Sequence, residues 1–157
     1  MAQIIRQGDL FTIGHSNHHI ETFINYLLRW GIQGLVDCRS EPTSPHLPQY
    51  DKQPLLSICK SARIRYATRP VLGENSTTDT RSETFINEMT ALCVLSDSHR
   101  VALMGRSKDP IDCHRARRLS AWLLTNTGRD VHHIHPSGLI SGTGVQARLL
   151  GQNRVAV

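Results

Sequence analysis

No apolar run in the 157 residues approaches the ~20 positions that a membrane-spanning helix requires, so a transmembrane protein is not expected. Met1 to Leu10 is polar and lacks the apolar region of a signal peptide, so a cytoplasmic location is expected. There is no C-x-x-C pair. Cys38, Cys59, Cys93 and Cys113 are widely and irregularly spaced, which argues against a disulfide framework and against a cysteine-cage zinc site. Free, mostly buried thiols are the expectation. The G-x-G-x-x-G fingerprint of dinucleotide binding is missing, so no cofactor is expected. Internal repeats and low-complexity tracts are missing too, which leaves one domain large enough to bury a single sizeable core.

What is present is an alternation of strand and helix patterns. Leu10–Gly14 reads as a first strand and Ile20–Trp30 as a helix stopped by Gly31, with Ile20, Ile24, Leu27 and Leu28 on one face. Ile32–Val36 is a second strand, ending at Asp37. Residues 40–54 hold four of the seven prolines and form an ordered, irregular loop. Leu55–Ala62 reads as a helix, and Arg63–Thr68 as an edge strand in which Ile64 and Tyr66 alternate with arginines. Ser82 caps a helix over Glu83–Leu95, with Phe85, Ile86, Met89 and Leu92 facing inward. Val101–Met104 is wholly apolar and so central. Asp109-Pro110 starts a helix that runs to Thr127, and Val131–His135 is a fifth strand. These elements predict an α/β, three-layer, Rossmann-like domain over residues 1–137, with a mainly parallel five-stranded sheet and helices on both faces. An order 3-2-1-4-5 puts the site at the C-terminal strand ends, between strands one and four. Residues 138–157 form a Gly- and Ser-punctuated tail with no assigned element.

Three segments meet at that edge. The richest is G-R-S-K-D-P-I-D-C-H-R-A-R-R, Gly105 to Arg118. A helix beginning after a small-residue loop offers free N–H groups and a positive end to an anion. Arg106, Ser107 and Arg115 then contact substrate, with Lys108 adding charge. Cys113, near the helix start, is a candidate thiolate, and His114 a candidate base or donor. The same residues also describe a structural cysteine on a capped helix flanked by solvated arginines. Asp37-Cys38-Arg39-Ser40 supplies a carboxylate for proton transfer and an arginine for a bidentate phosphate clamp, with Ser40 beside them. Equally, Asp37 and Arg39 form a pair that pins the loop. Gly14-His15-Ser16 adds close backbone approach, a candidate base at His15 and a contact at Ser16. Tyr50, in the proline loop, is a candidate stacking or lid residue, or one packed under the loop. His133 and His135 share a strand face, but no carboxylate or cysteine is adjacent, and no metal is expected.

T-I-G-H-S-N at Thr12–Asn17, V-D-C-R-S-E-P at Val36–Pro42, P-Q-Y at Pro48–Tyr50 and D-P-I-D-C-H-R at Asp109–Arg115 resemble the family called domain of unknown function 488. The resemblance runs from the first strand to the fifth, with the motifs in the family's order and spacing. It implies an α/β sandwich in which the four segments build one pocket. It implies no reaction, since the family's activity is not established. Two positions depart from the pattern. Gly105-Arg106-Ser107 stands where family members carry a Cys and Glu of the C-A-E type. Pro70-Val71-Leu72-Gly73-Glu74 replaces a P-x-L-G-G turn.

The net charge of +5 suits anionic partners, either a phosphate-bearing small molecule or nucleic acid. The leading expectation is an enzyme, a hydrolase or transferase, acting on a nucleotide or nucleic-acid base through a basic phosphate pocket. The alternatives are a non-catalytic nucleotide- or nucleic-acid-binding module and a cysteine-dependent transferase or hydrolase. Oligomeric state is not legible.

Overall fold

The computed structural model describes residues 4–73, 78–109 and 114–142. Six strands form one sheet: β1 (Leu10–Gly14), β2 (Gly34–Asp37), β3 (Arg65–Thr68), β4 (Val101–Gly105), β5 (Val131–His135) and β6 (Gly138–Ser141). Four α-helices accompany them: α1 (Ile20–Arg29), α2 (Lys52–Ser61), α3 (Glu83–Ser96) and α4 (His114–Thr127). The strand order is β3-β2-β4-β1-β5-β6. All pairings are parallel except β5 with β6. The fold is therefore Rossmann-like α/β with six strands rather than five, because residues 138–141 turn back and pair with β5.

The period-two alternation of the strands builds two cores. Phe11, Ile13, Ala102 and Met104 face one, shared with Phe23 and Leu27 of α1 and Leu55 and Cys59 of α2. Leu10, Val101, Leu103 and Val131 face the other, shared with Phe85 and Met89 of α3 and Leu119 and Leu123 of α4. The chain runs outward through β1, β2 and β3 with its helices on the first face, then returns through β4 and β5 with helices on the second. Where β1 and β4 lie side by side, the helices that follow them depart to opposite faces, which opens a crevice at the C-terminal strand ends.

The expected order 3-2-1-4-5 is corrected. β4 lies between β2 and β1, so β2 adjoins β4 and not β1, while β1 and β4 remain neighbours. Helix α2 starts earlier than its apolar pattern suggested. Pro54 falls in its first turn, where a missing N–H has no intrahelical bond to lose. On α1 Phe23 is buried and Leu28 is half exposed. On α3 Cys93 takes the inward place expected of Ile86, which faces solvent. Both misplaced residues sit at the margin of their apolar stripe, where one step of 100° decides burial. The Ser82 cap forms as expected, its hydroxyl accepting from the Phe85 N–H. Gly31 has φ +67°, the left-handed stop after α1. Among the described residues no helix is long and apolar enough to cross a membrane.

Candidate functional site

Backbone geometry brings the β1 and β4 loops together. The His15 N–H donates to the Gly105 carbonyl at 2.9 Å, and the Ser16 N–H to the Arg106 carbonyl at 2.7 Å. Ser16 occupies a left-handed conformation, φ 46°, at a modest energetic cost. A Cβ on Gly14 would lie 1.7 Å from the Ser107 carbonyl oxygen, so only glycine lets the two loops approach. The β2 loop joins them through the Cys38 N–H, which donates to the Met104 carbonyl.

Asp37 is fully buried and Arg39 is 3% exposed. The Asp37 carboxylate accepts from Arg39 Nε at 2.9 Å, Arg39 Nη2 at 2.7 Å, the Arg39 backbone N–H at 3.1 Å and the Tyr66 hydroxyl at 2.5 Å. Burial alone would lower the guanidinium pKa, but the Asp37 carboxylate outweighs it and holds Arg39 above its ordinary range. Burial, followed by the bond to Asp37, pushes the Tyr66 phenol up. Arg39 Nη2 also donates to the Tyr50 carbonyl at 2.7 Å. The bidentate phosphate clamp read from the sequence is therefore corrected: Arg39 turns its fork on Asp37, and only Nη1 is without a partner among the described residues. Asp37 has both oxygens engaged and holds Arg39, the arrangement of the loop-pinning alternative.

Tyr50 is fully buried. Its ring stacks on His15 at 4.5 Å between centroids and meets Phe23 edge-on, while its hydroxyl donates to the His18 carbonyl at 2.7 Å. It is packed beneath the loop and is not a lid. His15, Tyr50, Arg39 and Asp37 thus form one continuous set of contacts.

His15 carries the distinctive electrostatics. Its Nδ1 lies 2.8 Å from the Ser16 carbonyl, which only accepts, so Nδ1 holds the proton. Nε2 is buried with its lone pair and has no partner among the described residues. Burial lowers the pKa from the ordinary 6.5 to about 4, with Arg39 and Arg106 adding to the fall. An unfolded chain therefore takes up this proton near pH 6.5 while the folded chain does not. Stability contributed by neutral His15 is complete above pH 6.5 and is lost as pH falls towards 4. Between pH 7 and pH 4.5 the loss is expected to be about 2 to 3 kcal/mol. His15→Gln should flatten that slope, as read by urea midpoints at the two pH values.

The outer rim is basic. Arg106 is exposed and donates through Nη2 to the carbonyls of Glu41 and Thr43, tethering the proline loop. Ser107 and Ser40 are half-buried. Lys108 is exposed and close enough to His18 to lower its pKa, after burial. Cys113, and the side chains of His114 and Arg115, lie outside the described residues. No family model, curated protein or solved structure matches this chain.

The other candidates resolve into packing. Cys59 and Cys93 are buried, with burial raising the first to about 12 and the second above its ordinary range. His132 bonds Asp9 at 2.8 Å, and His133 bonds Thr12 at 2.5 Å and Ser120 at 3.2 Å. Tyr66, the partner of Asp37, was not singled out from the sequence. Its signal was the period of two that places it on the same strand face as Ile64.

Proposed function

We propose that this chain is an enzyme acting on a nucleotide or nucleic-acid base, with its reacting group held at the C-terminal strand ends. The observation that carries the reading is that, of three buried polar atoms without a partner among the described residues, two lie together here, His15 Nε2 and Arg39 Nη1, the third being Arg118 Nη1. Such atoms cost about 1 to 3 kcal/mol each, and a fold tolerates them where a ligand satisfies them. His15 offers an acceptor and Arg39 a donor. That combination suits a water, a hydroxyl or a base edge, which both donates and accepts. Arg106, Ser107 and Lys108 supply the phosphate contacts, with Ser16 and Ser40 on the neighbouring loops and Arg115 in the first turn of α4. A phosphate beside Arg39 and Arg106 offsets two of the influences that depress His15, moving its pKa towards the range of an effective base. Membership of the domain of unknown function 488 family belongs to the same proposal and rests on the four motifs.

The test is titration with nucleoside monophosphates and inorganic phosphate, followed by turnover. His15→Gln should reduce turnover by roughly 100-fold or more while leaving affinity within a few-fold. Arg106→Ala with Lys108→Ala should weaken binding by roughly tenfold. The engagement of both Asp37 oxygens favours a second reading, a non-catalytic binding module, since it leaves no carboxylate base free. That reading wins if ligand binds and His15→Gln changes no reaction. Both fail if neither mononucleotide nor oligonucleotide binds at low salt.

A further inference from the structure

Residues 52–73 contain Lys52, Lys60, Arg63, Arg65 and Arg69 and no acidic residue. They form α2, β3 and the turn that follows, and all five side chains are exposed. Of these five, only Arg69 has an ion-pair partner among the described residues, Glu88 at 3.2 Å. Lys60, Arg63 and Arg65 rim a surface concavity together with Leu56, Ile64 and Tyr66. β3 is the outermost strand on this side of the sheet. Arg65 pairs with Gly34 at its start, and the backbone of Arg69, just past its end, donates to the Asp37 carbonyl. The four-residue step from Arg65 to Arg69 covers about 13 Å, so the basic row runs along the strand and ends beside the site.

Arg63 adds a second observation. It follows α2 in a left-handed conformation, φ 60°, at the helix-ending position where a left-handed residue is usually glycine. The chain accepts backbone strain here and keeps a cation. Charge on an outer strand also opposes the addition of another strand, so an acidic peptide pairing with β3 does not fit. A flexible polyanion that needs no backbone pairing does.

We infer that the α2–β3 edge binds the phosphodiester backbone of a nucleic-acid strand, laid from Arg65 towards Arg69 so that it ends at the C-terminal strand ends. This rests on the nucleotide reading for the identity of the polymer, and it makes the substrate a polynucleotide rather than a free nucleotide.

The experiment measures anisotropy of a labelled oligothymidylate across salt concentrations. Arg63→Glu with Arg65→Glu should weaken binding by about tenfold at low salt and reduce the salt slope by about 1.4. Arg6→Glu with Arg29→Glu, an equal charge change at exposed sites elsewhere, should do much less. Arg63→Gly removes the charge and relieves the strain. It should raise the thermal midpoint while lowering oligonucleotide affinity, a combination that a misfolded variant cannot give. Equal losses in the two double variants overturn the inference, as does polyglutamate competing as well as oligothymidylate, or unchanged affinity in Arg63→Gly. Mononucleotide binding with no response to the edge variants overturns it while leaving the pocket reading intact.

Discussion

Asp37→Ala is expected to destabilise the protein by about 3 to 5 kcal/mol, the cost of stranding a buried charge. Arg39 would keep its position, 3% exposed, with Nε and Nη2 stripped of their carboxylate. The Tyr66 hydroxyl would lose its acceptor as well. A domain has only about 5 to 15 kcal/mol in hand, so a drop in thermal midpoint of roughly 10 °C or more should follow. Arg39→Met should cost about as much, for the same reason seen from the other side. The double variant Asp37→Ala with Arg39→Met should recover at least half of the loss, because it removes both charges together. Urea unfolding of the four proteins reads the cycle. Additive losses would mean that the pair does not couple and that Arg39 is held by Tyr50 alone.

Gly14→Ala is expected to separate the β1 and β4 loops. The new methyl would sit 1.7 Å from the Ser107 oxygen, 2.2 Å from its carbonyl carbon and 2.7 Å from the Lys108 nitrogen. All three are backbone atoms, so no rotamer change relieves the clash. The loops must part by more than 1 Å, and the bonds from His15 and Ser16 to the Gly105 and Arg106 carbonyls break. A stability loss of about 2 to 4 kcal/mol follows. Any reaction at His15 should fall by roughly 100-fold, the usual effect of an ångström of misplacement. Gly34→Ala is the control. Its Cβ would find only a Val101 methyl at 3.7 Å, so that substitution should be neutral or slightly stabilising. If the two variants unfold alike, the close approach at Gly14 does not hold the site together.

Much of the candidate site was legible because its residues sit in short segments at strand ends. Thr12–Ser16 and Asp37–Arg39 each follow an apolar run whose length and termination are local properties. The two readings of Asp37 and Arg39, pocket groups or a loop-pinning pair, were equally open. Two residues apart on a chain leaving a strand, they can turn outward or fold onto each other. Tyr66 across the β2–β3 register and Tyr50 under the proline loop close them inward. Tyr50 was legible by position while its role stayed open between lid and packing, since nothing in Pro48-Gln49-Tyr50 says which side of the loop the ring takes. β6 escaped because Gly138–Ser141 is four residues long, carries no strong alternation, and becomes a strand only through its ladder with β5.

The sequence alone determined the α/β class, the extents of β1 and β5, the start of β4, the edge position of β3, the Ser82 cap and the Gly31 stop. Each follows from periodicity, apolar content or backbone preference within a dozen residues. Only the tertiary structure decided that β4 sits between β2 and β1, because both Leu10–Gly14 and Val101–Gly105 are buried on both faces and either can take the inner place. Only the tertiary structure joined His15 to Arg39 through Tyr50, and Asp9 to His132 across the sheet. Those partners lie far apart in the chain, and what brings them together is helices crossing over to opposite faces of the sheet. That is a property of packing and is not carried by any segment.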